Sequence, residues 1–118
     1  MYVKTVDDVI GTDRDVAGDG WRSRRLMLAR EGAPYSVHET TLDAGVRLQF
    51  SYRAHRETVY CVEGRGAIED LGSGRQRPLL PGSLYSVGIG DDHVVTTQTQ
   101  MRLVCIFDPP LIGDEEAD

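Results

Sequence analysis

The stretch Glu57–Gly66, ETVYCVEGRG, decides how the rest of the chain is read. Its residues alternate as a strand does, with Glu57, Val59, Cys61 and Glu63 on one side and Thr58, Tyr60 and Val62 on the other. Glu63-Gly64-Arg65-Gly66 then supplies a turn. The anomaly is Glu57, which shares a side with Val59 and Cys61. A carboxylate facing an apolar interior is costly unless it is paired or bound to a cation. The residues alone leave two partners open: Arg53 or Arg56 at the strand end, or a bound cation.

The same pattern repeats on either side of this stretch. Segments rich in β-branched and aromatic residues predict strands over Arg25–Arg30, Ser36–Leu42, Arg47–Tyr52, Thr58–Glu63, Ala67–Leu71, Ser83–Gly88, His93–Thr97 and Met101–Phe107. Turn residues separate them, at Gly32-Ala33-Pro34, Asp43-Ala44-Gly45, Gly72-Ser73-Gly74, Pro81-Gly82 and Gly90-Asp91-Asp92. Only Thr5–Ile10 suits a helical turn, capped by Thr5 with Asp8 three residues on. About eight short strands, with no connection long enough for helical crossovers, predict an all-β antiparallel sandwich or barrel. In Met101–Phe107 both alternating sets contain apolar residues, so both faces of that strand are expected to be covered, one lining the interior and the other meeting a second sheet or subunit.

The chain has 118 residues, the size of one domain, ending in a short acidic tail over 114–118. Hydrophobic residues make up 40% and charged residues 27%, a balance able to bury one core. The formal net charge of -6, with no basic cluster beyond Arg22, Arg24 and Arg25, argues against a nucleic-acid partner. No run of 18 apolar residues predicts a membrane span, and MYVKTVDDVIG does not read as a signal peptide, so a cytoplasmic location is expected. Cys61 and Cys105 sit in apolar runs without CxxC spacing and read as buried thiols.

Several strings carry a resemblance across nearly the whole chain: His38-Glu39-Thr40-Thr41, Glu57-x-Val59-Tyr60-Cys61-Val62-Glu63-Gly64-x-Gly66, Pro81-Gly82-Ser83-Leu84-Tyr85, and Met101 through Phe107 followed by Asp108-Pro109-Pro110-Leu111-x-Gly113. Together with Trp21 and Arg25, in this order and spacing, they resemble ectoine synthase, a family of the cupin superfamily. The resemblance implies a cupin-type double-stranded β-helix barrel. It implies metal ligands at Glu57, Tyr85 and His93, with iron(II) as the ion, and substrate contacts at Trp21, Arg25, Thr40, Tyr52, Cys105, Phe107 and Glu115. Catalytic roles fall on Glu57, Tyr52, Tyr85 and Glu115. The implied reaction closes N4-acetyl-L-2,4-diaminobutyrate into ectoine, a compatible solute made under salt stress, with loss of water. A small zwitterionic substrate and a homodimer are the implied partners.

Those residue types suit that chemistry. An amide carbonyl is a poor electrophile, so a Lewis acid on its oxygen helps. The attacking amine must be neutral and the departing oxygen must be protonated. Aromatic walls at Trp21, Tyr52 and Phe107 can fold the substrate, and Arg25 can clamp its carboxylate.

Taken singly, each of these residues reads as ordinary: Tyr85 as a core tyrosine, His93 as a turn histidine, Trp21 as core, Arg25 as a surface charge, Cys105 as inert, and His38 and His55 as structural or surface. The chain also departs from the family's pattern. Ser51 stands where a histidine is common, Ala117 where another is, and the sequence ends at Asp118, before the acidic, aromatic tail that resembles a lid. The alternatives to ectoine formation are a metal-binding cupin acting on a related amide and a non-catalytic binder of a small zwitterion.

Overall fold

The structure, a computed structural model, describes residues 1–113. Glu115, Ala117 and the rest of the acidic tail lie outside the described residues. Ten strands follow one short helix, α1 (Val6–Val9): β1 (Asp15–Gly18), β2 (Trp21–Met27), β3 (Ser36–Leu42), β4 (Arg47–Phe50), β5 (Arg56–Glu63), β6 (Gly66–Asp70), β7 (Gln76–Leu79), β8 (Leu84–Val87), β9 (His93–Thr97) and β10 (Met101–Asp108). They form a six-stranded sheet in the order β1-β2-β3-β10-β5-β8 and a four-stranded sheet in the order β4-β9-β6-β7. Every pairing is antiparallel.

The helix starts as its sequence implies. Thr5 Oγ1 accepts from the Asp8 amide at 3.1 Å, and Asp8 accepts in return from the Thr5 amide at 2.9 Å. Three strand expectations need correction. The first strand begins at Trp21, not Arg25, and ends at Met27, where Ala29–Glu31 turns into a 3-10 helix. The preceding strand β1 was not expected. Asp19-Gly20 joins it to β2, and Gly20 takes the left-handed φ of 83° that the tight turn needs. The charges of Arg22, Arg24 and Arg25 hid this hairpin, because a strand whose buried positions are filled by paired arginines shows no apolar alternation. Strand β7 was also missed. It contains Pro78, which removes a ladder donor and is tolerated here because β7 is a sheet edge.

Strand β10 is the spine of the larger sheet. Met101, Leu103, Cys105 and Phe107 are all 5% exposed or less, whereas Arg102, Ile106 and Asp108 face outward. With Leu42, Val59, Cys61 and Val95 they make the buried core between the sheets. Gly64 and Gly66 let the β5–β6 corner press onto this spine. A Cβ on Gly64 would lie 2.3 Å from the Gln100 carbonyl oxygen, and one on Gly66 would lie 2.2 Å from that of Thr96.

A bidentate ion pair ties β1's approach to the 3-10 turn. Arg14 donates to the two carboxylate oxygens of Glu31 at 2.7 and 2.9 Å, and the Leu28 amide adds a third bond at 2.9 Å. The Arg14 guanidinium, helped by that amide, lowers the Glu31 carboxyl from an ordinary 4.5 to about 2. A depressed folded-state pKa contributes stability that is complete above pH 4.5 and lost as pH falls toward 2. Denaturant titrations across that window are expected to show the loss, on the order of 2 kcal/mol for a half-screened pair, and Arg14→Met should flatten it.

Candidate active site

The inward faces of the large sheet bring the chemistry into one row. Arg25 of β2 lies opposite His38 of β3, His38 opposite Cys105 of β10, Cys105 opposite Val59 of β5, and Val59 opposite Tyr85 of β8. In the neighbouring row Phe107 stands between Ser36 and Glu57. The two rows together run from a guanidinium at one end to a carboxylate and phenol at the other, in a cavity of about 400 Å³. Trp21, Arg25, Thr40, Tyr52, Glu57, Tyr85, Cys105 and Phe107, each anticipated from the sequence, all line it. Glu115, also anticipated, lies outside the described residues.

His93 sits behind the wall, 1% exposed, with Nε2 3.4 Å from the Glu57 carboxylate. Strand β9 places it there by pairing His93 with Phe50 of β4, and its ring lies 5.9 Å from those of Phe50 and Tyr85. Glu57 is 5% exposed and meets this histidine, not Arg53 or Arg56. Arg53 faces Asp92 at 3.9 Å, and Arg56 stands on the outer face opposite Asp108. The single-residue reading of Arg25 as a surface charge is likewise overturned: it is 5% exposed and donates to the Gly113 carbonyl. Its neighbours in sequence point outward, Arg22 to Asp15 and Arg24 to Glu39.

The electrostatics follow from burial. Burial pushes the Tyr85 phenol well up, and the Glu57 charge pushes it further. The same two causes raise Tyr52, against a smaller opposing effect of Arg25. Both phenols are therefore protonated donors across the neutral range. Burial first, then Glu57, also raises the Cys105 thiol, which donates to Thr40 Oγ1 at 3.6 Å. For His93, burial alone would lower the pKa, but the Glu57 carboxylate and the Asp91 carbonyl outweigh it, so the net shift is upward.

A divalent cation fits this donor set. His93 Nδ1–H donates to the Asp91 carbonyl at 3.0 Å, which leaves the Nε2 lone pair toward Glu57. That buried Nε2 has no hydrogen bond. A bare lone pair beside a carboxylate calls for a positive charge, and a metal ion can replace the proton that the ring otherwise takes up. One carboxylate, one imidazole and one phenol would leave positions for a ligand.

For His38, read as structural or surface, the structure excludes the surface alternative. It is 1% exposed, lines the cavity, meets Ser36 Oγ at 2.9 Å and stands edge-on to Phe107 at 5.2 Å. The signal was present, since Ser36, His38, Thr40 and Leu42 form one alternating set in β3. His55 holds a structural position, with Nδ1 2.7 Å from the Pro109 carbonyl oxygen.

A barrel of two facing antiparallel sheets with its site inside is the cupin architecture. It is shared with an RmlC-like cupin from Shewanella frigidimarina, at TM-score 0.66 and 21% identity over 80% of this chain and 81% of that one. The relationship narrows further with the crystal structure of ectoine synthase from P. lautus, at TM-score 0.93 and 39% identity over 99% of this chain and 87% of that chain. An L-ectoine synthase from Nocardia farcinica is 45% identical over 118 residues, all of this chain and 90% of the relative. The sequence profile of ectoine synthase matches residues 1–118, and the chain belongs to that family of hydro-lyases.

Both cysteines are buried, and burial raises the pKa of Cys61 as it does that of Cys105. Only the thiolate is nucleophilic. Iodoacetamide at pH 8 is therefore expected to leave both thiols of the folded protein intact by mass spectrometry and to label both after denaturation.

Proposed function

We propose that the chain closes N4-acetyl-L-2,4-diaminobutyrate into ectoine with loss of water, at a site holding one divalent cation, iron(II). The observation that carries this reading is the single inward row from Arg25 to Tyr85, ending beside Glu57 and His93. Glu57, Tyr85 and His93 would hold the cation. When bound, it supplies Lewis acidity toward the amide carbonyl.

The chain's own groups do the rest. Arg25 binds the substrate carboxylate at the far end of the row, so the flexible chain is held at both ends and its amine is brought to the carbonyl. Such orientation is worth up to ~7–11 kcal/mol. Trp21, Tyr52 and Phe107 wall the cavity; the Tyr52 and Phe107 rings meet at 4.8 Å and 68°. That apolar enclosure limits the water that would otherwise favour hydrolysis. Tyr52, kept protonated by burial, would hydrogen-bond the departing oxygen and relay to it a proton released by the attacking amine, and Thr40 and Cys105 hold the wall between the two ends. Glu115 is retained as a catalytic and substrate-contacting candidate from the family resemblance.

The same proposal covers setting and assembly. Ectoine made in the cytoplasm would serve as a compatible solute under osmotic stress; among the described residues no helix is long and apolar enough to cross a membrane. A homodimer would form through the outer face of the large sheet, where Val104, Tyr60 and Leu84 lie in one row and Ile106 lies beside it. Charges of both signs, Arg56, Glu63, Arg102 and Asp108, flank that patch and can pair across a two-fold axis. Light scattering of the wild type should give twice the chain mass, and Tyr60→Glu or Ile106→Glu should give the monomer.

Iron-loaded protein is expected to convert the acetylated diamine to ectoine, followed by chromatography. Glu57→Ala and His93→Ala should lose both bound iron and turnover by at least about a hundredfold. Full activity in metal-stripped protein would overturn the cation's role. Stabilisation by ectoine without product formation would favour a binder instead.

A further inference from the structure

The Trp21 indole rests where another residue would have a side chain. Strands β1 and β2 form a hairpin in which Gly18 lies directly opposite Trp21. A Cβ on Gly18 would lie 2.5 Å from Cε2 and Nε1 of the indole and 2.6 Å from Cζ2. Those separations are far inside van der Waals contact, so the ring and a methyl group cannot coexist in these positions. The turn does not impose the glycine. Gly20 carries the left-handed φ, while Gly18 is absent from the glycines with positive φ. Alanine at position 18 is thus compatible with the backbone, and its effect would fall on the indole.

The surroundings decide where a displaced ring goes. On its other flank Trp21 pairs with Leu42, which is 1% exposed, and the indole packs against the core cluster. That side is filled. Gly18, Trp21 and Arg25 line the same cavity. A ring pushed off Gly18 turns into the cavity or out of its mouth, and either movement changes the shape of that end.

We propose that Gly18 is a positioning residue for substrate binding: its bare Cα seats the Trp21 indole, and that seat sets the width of the cavity at the end carrying Trp21 and Arg25. The ligand class is a small zwitterion whose carboxylate faces Arg25 and whose chain lies along the indole. The inference rests on the reading of Trp21 as a substrate wall. It predicts an effect on binding more than on chemistry, because β1 and β8 are opposite edges of the six-stranded sheet and the cation-binding groups lie toward β8.

Gly18→Ala, Trp21→Ala and the double variant test it by steady-state kinetics of the iron-loaded protein. Gly18→Ala is expected to raise KM about tenfold with kcat within about twofold and bound iron unchanged. In the Trp21→Ala background the same change should add nothing to KM. An unchanged KM in Gly18→Ala, or an equal further rise in the double variant, overturns the proposal. The chain has one tryptophan, which gives a readout independent of turnover. Gly18→Ala should change both the emission maximum and acrylamide quenching, to the red with more quenching for a ring turned out of the mouth and the reverse for a ring turned into the cavity. If the wild type turns over no acetylated diamine, the substrate reading fails by itself, and unchanged emission and quenching would then overturn the seat as well.

Discussion

A negative charge buried in an apolar barrel is the constraint on which this structure turns. Glu57 is 5% exposed, and its neighbours on the inward face include Val59, Phe107 and Val87. Among the described residues no Lys or Arg lies within ion-pair distance of it; the contact is His93 Nε2 at 3.4 Å. The idealised cost of burying a carboxylate is several kcal/mol even after relaxation, so a positive charge must share that space. A proton on His93 is one source of that charge: the Glu57 carboxylate favours the charged ring and raises its pKa against the lowering effect of burial. A bound cation would supply it better, because it can also draw on the Tyr85 phenol that burial otherwise keeps protonated.

Antiparallel pairing converts this local demand into an extended site. Because inward residues of neighbouring strands lie side by side, Arg25 and Tyr85 belong to one row although they are sixty residues apart in sequence. Each strand contributes one or two groups, and rigid ladders hold their separation. A guanidinium at one end and a carboxylate with its partner at the other can grip a chain molecule by its two polar ends. The device works because β10 is held between β3 and β5, and the close approach at Gly64 and Gly66 keeps that spine in place.

Much of this was legible in the residues, and the reasons for the rest are specific. Alternation alone exposed Glu57 as misplaced, and it separated the two faces of β10 without saying which one turns inward. It could not say what Glu57 meets, since His93 lies four strands later and looks like any turn histidine. Tyr85 and Arg25 are equally silent alone, because burial is a property of the assembled sheet. The order of motifs resembling ectoine synthase joined them. Buried, paired arginines hid the β1–β2 hairpin, and Pro78 hid β7. His38 alone reads as structural or surface, although it shares an alternating face with Thr40.

Ser51, the position at which the family resemblance implies a histidine, can be placed in the fold. Phe50 and Tyr52 line the cavity, but Ser51 between them does not. It is 1% exposed, and its hydroxyl has no hydrogen-bond partner. An unsatisfied buried hydroxyl costs about 1–3 kcal/mol. A side chain at position 51 therefore lies behind the cavity wall, between Phe50 and Tyr52. On this geometry the serine bears on the stability of that wall, while Arg25, Tyr52, Glu57 and Tyr85 line the cavity on its other side.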